Sequence, residues 1–165
     1  MLTDVLEAVV KIGLPVMLLA YILLRQLYQA GTLDPCDDEK TVDKQLGKLR
    51  KDKDSKVQSN LLQAKWMQFG GGFYGLAALW TFAVIEVFQF IGFVRNFPGF
   101  EALFKNGVIN LAVDIFVNQI QNLVAAFVWF TYWAPHGSTI GWWILVAYVS
   151  YLLGMYLARA TTRID

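Results

Sequence analysis

Four long apolar stretches restrict the fold of this chain more than any other feature. They cover residues 9–24, 66–94, 108–133 and 140–157. A helix needs about 20 mostly apolar residues to cross the hydrocarbon of a bilayer, and a helix satisfies its own backbone hydrogen bonds there. The stretches therefore predict an all-α, polytopic membrane protein. Residues 1–165 are expected to form one domain, a bundle of four transmembrane helices.

The composition supports this class. Apolar residues make up 56% of the chain and charged residues 16%. A soluble domain has about 45–50% apolar residues and about 25% charged residues. Sixteen of the 27 charged residues fall between Arg25 and Lys65, so the remainder is poorer still in charge. The expected surroundings are membrane lipid. A net charge of +1 gives no basic excess that would favour nucleic acid.

The charged loop at 26–65 predicts the orientation. Lys and Arg concentrate on the cytoplasmic side of membrane proteins. The loop and its flanks carry nine of them, and the opposite side of an alternating bundle would carry five: Lys11, Arg95, Lys105, Arg159 and Arg163. The bias predicts a cytoplasmic loop and both termini outside, in the bacterial inner membrane.

Part of this loop has a helical pattern. Val42, Leu46 and Leu49 recur at the spacing of one helix face. The region 40–56 is therefore expected to contain a short amphipathic helix. It is either a solvated segment, as charge runs usually are, or a docking surface for a cytoplasmic partner.

A run of small residues in the second stretch predicts close helix packing. Gly71, Gly75 and Ala78 fall in one narrow sector of a helix, together with Glu86 and Gln89. Small residues four apart let two helix backbones approach in lipid. A phosphate-binding loop is not indicated, because no strand precedes the run and the Lys-Ser/Thr pair is absent.

Polar side chains inside apolar stretches are candidate functional residues. A carboxylate in hydrocarbon is costly and usually faces a partner or water. Glu86 is expected to bond a neighbouring helix, to be protonated, or to bind protons or cations. The third stretch carries a polar stripe that faces the bundle, another subunit or a water path, unless its first half lies in the membrane interface. The stripe consists of Asn110, Asp114, Asn118, Gln121 and Asn122.

Alternating helices would bring several of these groups together. Glu86 and Asp114 would lie about 9–12 Å from the outer helix ends, on the side of Lys11 and Arg159. The predicted polar cluster contains Lys11, Glu86, Gln89, Asp114, Asn118, Gln121 and Arg159. It is either structural charge pairing or an ion or proton pathway.

No residue set suggests catalysis or metal binding. The chain has one Cys, Cys36, and one His, His136, and a metal site needs three or four clustered ligands. A nucleophile–base set is also missing. The sequence predicts neither an enzyme nor a cofactor.

The resulting functional hypothesis is a small integral membrane subunit. It would assemble with itself or with a larger membrane complex. The alternative is an oligomeric ion channel, or a proton- or cation-coupled transporter, that uses Glu86 and Asp114. Residues 123–129 are apolar, whereas a pore former needs polar residues along the whole helix, which favours the subunit.

Overall fold

The fold is helical throughout the part of the chain that the computed structural model describes: residues 2–51, 61–97, 99, 107–134 and 139–163. Four of its helices are long and apolar enough to cross a membrane: Thr3–Gln29, Gly72–Arg95, Val108–Phe127 and Ile140–Thr162. The predicted all-α class with four such helices is confirmed. The elements are α1 (Leu2–Ala8), a π-helical turn (Val9–Gly13), α2 (Leu14–Gln29), α3 (Glu39–Lys51), α4 (Leu61–Gln68), α5 (Gly72–Arg95), α6 (Val108–Phe127), α7 (Trp129–Trp133) and α8 (Ile140–Thr162).

The first apolar helix is longer than predicted. Helix α1, the π-helical turn and α2 run on as one rod of 27 residues, Thr3–Gln29, which we call the α1–α2 rod. Pro15 lies in the first turn of α2, directly after the π-helical turn, and donates no backbone hydrogen bond within the rod. At 1.5 Å per residue the rod is about 40 Å long.

The second apolar stretch is not one helix. It breaks at an elbow, Phe69–Gly71, between α4 and α5. Gly70, Gly71 and Gly72 have φ values of +109°, +69° and +58°, a region that only glycine enters without steric cost. The glycine run therefore ends one helix and begins the next.

Helix α8 packs along the α1–α2 rod in parallel. Closer to the middle of both helices, a Cβ built on Gly13 would lie 2.9 Å from the Ser150 hydroxyl oxygen. Near their ends, Arg159 Nε donates to the Tyr28 hydroxyl at 3.2 Å. Four alternating crossings would make the first and last helices antiparallel. The start of α1 and the end of α8 instead lie at opposite ends of this pair.

The intervening helices explain the parallel arrangement. Helices α4 and α5 run back along the rod, since Gln63 donates to Gln26 at 3.1 Å and Trp80 Nε1 to the Lys11 carbonyl at 2.9 Å. Helix α6 then runs antiparallel to α5. After α6 the chain reverses through α7, where Trp133 Nε1 donates to Thr81 Oγ1 at 2.8 Å. Helix α8 therefore begins beside the start of the rod.

The amphipathic helix of the charged loop is α3, and it begins at a capped N-terminus. The Thr41 backbone N–H donates to the Asp38 carboxylate at 3.2 Å, as an N-cap residue accepts. Hydrogen bonds from Thr41 hold the pKa of Asp38 below its usual value. Val42 and Leu46 are buried. Residues 52–56, the rest of the predicted docking region, lie outside the described residues.

Two tyrosines of α8 hold α3 against the bundle. Tyr148 donates to the Glu39 carboxylate at 2.6 Å and Tyr151 to Asp43 at 3.1 Å. Partial burial raises the pKa of Asp43, the Tyr151 hydrogen bond opposes that shift, and the charge of Glu39 adds to it. The acidic side of the helix thus faces α8.

Candidate functional site

Four polar residues form a hydrogen-bonded amide cluster between α5 and α6: Glu86, Gln89, Gln119 and Asn122. Asn122 Nδ2 donates to Glu86 at 2.8 Å and to Gln89 at 2.7 Å. Gln89 returns a bond to Asn122 Oδ1 at 2.8 Å, and Gln119 donates to the second Glu86 oxygen at 3.1 Å. The cluster joins the two helices into one α5–α6 hairpin, which comprises Gly72–Arg95 and Val108–Phe127.

The register of the two helices explains the cluster. Glu86 and Gln89 are three residues apart on α5, as Gln119 and Asn122 are on α6, so each pair shares a helix face. Only 5% of Asn122 is exposed, and a buried amide is expected to find hydrogen-bond partners. Here one amide satisfies both a carboxylate and a second amide.

An open groove of about 620 Å³ adjoins the cluster. Its lining is Glu86, Gln89, Phe90, Phe93, Ile115, Asn118 and Gln119. The groove combines a carboxylate and amides with apolar and aromatic walls. Such a site can hold a proton or a cation, or it can accept polar side chains from another helix.

The other polar residues of α6 lie outside the cluster. Asp114, Asn118 and Gln121 are all exposed. Asp114 precedes Gln119 and Asn122 by five and eight residues, so it lies about 8–12 Å nearer the start of α6. The structure therefore brings Glu86, Gln89 and Asn118 to one groove and leaves Asp114 and Gln121 on the open face.

The two basic residues of the predicted cluster lie elsewhere. Lys11 pairs with Glu7 at 3.2 Å on the exposed side of the rod. Arg159 donates to Tyr28 at the far end of that rod. Because α2 and α8 are parallel, Lys11 and Arg159 lie at opposite ends of the pair. The four charges consequently do not meet, and the expected ion-pair cluster is not formed.

The predicted glycine seam also takes a different form. Gly71 lies in the elbow, so it shares no helix face with Gly75. A Cβ on Gly75 would lie 3.2 Å from the Phe69 carbonyl and 3.3 Å from that of Trp66. Gly75 and Ala78 do lie on one helix, α5, and Ala78 is buried. Gly75, however, packs against the elbow that precedes α5.

Among the described glycines, Gly154 makes the tightest contact between separate helices. A Cβ there would collide with the Met17 carbonyl oxygen and lie 2.8 Å from Ala20 Cβ. Sequence reasoning missed this contact, although Ser150, Gly154 and Ala158 recur at four-residue spacing. That spacing is the same small-residue signal that drew attention to the second stretch.

Metal and thiol chemistry have little to build on in the described part of the chain. Among those residues, no group of three or more His, Cys, Asp or Glu side chains could hold a metal ion. Cys36 is an exposed free thiol, and its N–H donates to Asp34 at 2.8 Å. His136 lies outside the described residues.

No family model, curated protein or solved structure matches this chain. Its function has to be inferred from the chemistry and packing of its own residues.

Proposed function

We propose that this chain is a small, non-catalytic integral membrane subunit that assembles through the α5–α6 hairpin, with copies of itself or with a larger membrane complex. One observation carries the proposal. Of the 18 consecutive residues that make up the most apolar part of α6, 6% are buried, whereas 28% to 33% are buried in the corresponding parts of the other three long helices. The described part of the chain therefore leaves most of α6 uncovered.

The uncovered surface of α6 is partly polar. Asp114, Asn118 and Gln121 are exposed along one side, while the amide cluster occupies the side that faces α5. Polar side chains that face lipid are expensive and usually find partners. A helix of another protein, packed beside this stripe, would supply hydrogen bonds that lipid cannot.

The remaining surface of the hairpin is apolar. Phe88 and Phe90 of α5 and Phe116 of α6 are about two-thirds exposed. Contiguous exposed apolar surface of this kind marks a lipid-facing or protein-facing region. The polar stripe of α6 interrupts this apolar surface, and at the stripe a protein partner is favoured over lipid.

The orientation that we propose differs from an alternating bundle. The parallel packing of α2 and α8 brings Arg159 and Arg163 to the end of the rod where the charged loop begins, and Arg163 donates to the Pro35 carbonyl at 3.2 Å. These two arginines then add to the Lys and Arg excess of that end. We place the charged loop and the end of α8 in the cytoplasm and the start of α1 outside, in the bacterial inner membrane.

Native mass spectrometry after extraction in a mild detergent tests the subunit proposal. The wild type should appear above the 18.7 kDa of one chain, as a multiple of it or with a second protein. The variant Asp114→Leu/Asn118→Leu/Gln121→Leu should fall to 18.7 kDa, because the polar contacts are gone.

A matched control changes three neighbouring exposed apolar residues of α6, as Val113→Leu/Val117→Leu/Ile120→Leu. It should retain the assembly of the wild type. A wild type that is a single chain, or equal assembly in all three proteins, would contradict the proposal.

The groove beside Glu86 supports a second candidate, ion or proton conduction. A carboxylate exchanges a proton or replaces part of a cation's hydration shell, which an amide does poorly. If the groove conducts, Glu86→Gln/Asp114→Asn should assemble normally in liposomes and lose a flux that the wild type shows. We expect weaker assembly of this variant, since Glu86 loses charge inside a hydrogen-bonded cluster, and no flux in the wild type.

A further inference from the structure

The exposed polar residues of α6 recur at the spacing of a coiled-coil seam. Asp114, Asn118 and Gln121 are four and then three residues apart, as the d, a and d positions of a heptad are. Leu111 and Ala125 occupy the a positions seven residues before and after Asn118. At 3.6 residues per turn all five residues lie within a sector of about 80°. We call them the α6 seam.

Helix α5 leaves the α6 seam open. The three polar residues of the seam are exposed, and its two apolar residues are partly buried. The α6 residues that bond α5 are Gln119 and Asn122, and they lie about 90° around the helix from the middle of the seam. A further helix can therefore pack on the seam without breaking the amide cluster.

The amides of the seam are complementary to themselves. Copies of one chain enter a membrane in one orientation, so their seams lie at the same depth. A two-fold axis along the membrane normal then places each seam residue opposite its counterpart. A carboxamide both donates and accepts hydrogen bonds, so Asn118 and Gln121 each find a complete partner in the same side chain of another copy. Lipid tails offer no such partner, and a different protein would have to present the same pattern at the same depth.

We propose that the α6 seam pairs with the α6 seam of a second copy of this chain, in parallel and about a two-fold axis. The inference rests on the subunit function proposed above and names the partner. In parallel helix pairs with a heptad spacing, an Asn at an a position fixes the register and the number of helices, and Asn118 holds that position. Membrane helices mostly cross with the same geometry, and amides hydrogen-bond across such contacts.

Asp114 distinguishes a second copy from a different partner. In the symmetric pair the two Asp114 carboxylates approach each other, and their repulsion weakens the contact. Asp114→Asn keeps hydrogen bonding at this position and removes the repulsion. Energy transfer between labelled copies in liposomes should therefore show a dissociation constant lower by about threefold or more. A different protein would be expected to offer a basic side chain to Asp114, so weaker assembly of Asp114→Asn would overturn pairing with a second copy.

Disulfide cross-linking in native membranes tests the geometry on the full-length chain. Every variant carries Cys36→Ser, because Cys36 is the one cysteine of the chain. Ala125→Cys places a thiol on the seam and keeps its polar side chains. Leu123→Cys is the matched control, since Leu123 is exposed and lies about 160° around α6 from Ala125 at nearly the same depth. A disulfide needs Cα atoms within about 7 Å, so only Ala125→Cys should give a covalent dimer of twice 18.7 kDa. Equal yields at both positions would indicate chance collisions and overturn the proposal.

The contribution of the Asn118 amide is measured in the Ala125→Cys chain. Asn118→Leu should slow dimer cross-linking about tenfold, because it removes the hydrogen bonds across the contact, and Asn118→Gln should retain most of the rate. An unchanged rate in Asn118→Leu would contradict the pairing. Native mass spectrometry of the wild type separates this inference from the subunit proposal. Assembly with a second protein, without an Ala125→Cys dimer, would overturn the self-pairing alone, and a single chain would overturn both.

Discussion

The pair formed by α2 and α8 and the hairpin formed by α5 and α6 solve the same packing problem differently. The pair meets backbone to backbone, with Gly154 against Met17 and Ala20. The hairpin meets through four polar side chains and leaves an open groove. In the most apolar 18 residues of α8, 33% of the residues are buried, whereas only 6% are buried in those of α6. Within the described part of the chain, α8 is packed against the rod, and most of α6 is uncovered.

The difference follows from what drives association in a membrane. Lipid removes the hydrophobic advantage of helix contact, so close packing at small residues provides much of the attraction. Hydrogen bonds between amides fix a register, but they add little packed surface. We therefore expect substitutions at the α2–α8 contact to act on the stability of the single chain, and substitutions on the exposed polar stripe of α6 to act on assembly.

Gly154→Leu is expected to cause the largest loss of stability. The new side chain would have to displace the backbone at Met17, and overpacking of this kind costs about 1–3 kcal/mol or more. Thermal unfolding in detergent measures the loss. The control is Gly92→Leu in α5, where a Cβ meets nothing within 4 Å. That variant should match the wild type, and equal losses at both sites would remove the distinction between the regions.

The next effect is that of Asn122→Ala in the amide cluster. The substitution removes the Asn122 hydrogen bonds to Gln89 and to the Glu86 carboxylate, which keeps its bond from Gln119. A hydrogen bond to a charged group contributes about 1.5–3 kcal/mol. Hydrogen exchange should show faster opening of α6 with little change in α8. Asn118→Ala, on the exposed side of α6, is the control. A change that spread equally to α8 would mean that hairpin and pair unfold as one unit.

A smaller effect is expected at the contact between α8 and α3. Tyr151→Phe removes the hydroxyl that binds Asp43, a loss of about 1 kcal/mol or about fivefold in the opening constant of α3. Amide exchange in α3 measures it. Tyr156→Phe, an exposed tyrosine of the same helix, should leave that exchange unchanged. An equal increase in both variants would show that the hydroxyl is not the attachment.

The smallest effect is a pH dependence of the same contact. Since the pKa of Asp43 lies above 3.8 when α3 is docked, docking favours the protonated carboxyl. This contribution is fully present below pH 3.8 and is lost as the pH rises through the raised pKa. The protection factor of α3, which is corrected for the intrinsic pH dependence of amide exchange, should therefore fall over that interval, and Asp43→Asn should abolish the fall. A protection factor that rises over the same interval would contradict the assignment.

The sequence predicts the helices better than their arrangement. Length and apolar content identified four helices, because the bilayer requirement acts on each stretch separately. The break at Gly70–Gly72 was missed, since glycine is compatible both with a tight helix contact and with a left-handed turn. The parallel packing of α8 was missed because it depends on the chain reversal at α7, for which the sequence gives no local signal.

The candidate site was predicted only in part. Glu86, Gln89 and Asn122 were identified as costly in lipid, and they form one cluster. Lys11 and Arg159 were assigned to the same site because alternating helices would place them at one end. Their real neighbours, Glu7 and Tyr28, follow from the parallel packing, which no property of these residues by itself reveals.

Photo-crosslinking in native membranes tests the central claim most directly, that the hairpin needs a partner and the α2–α8 pair does not. A benzoylphenylalanine replaces either Asn118, on the polar stripe of α6, or Tyr156, on the exposed face of α8. We predict a protein adduct of defined mass from position 118 and only lipid adducts from position 156. Lipid adducts alone at position 118, or the same protein adduct at both positions, would contradict the claim.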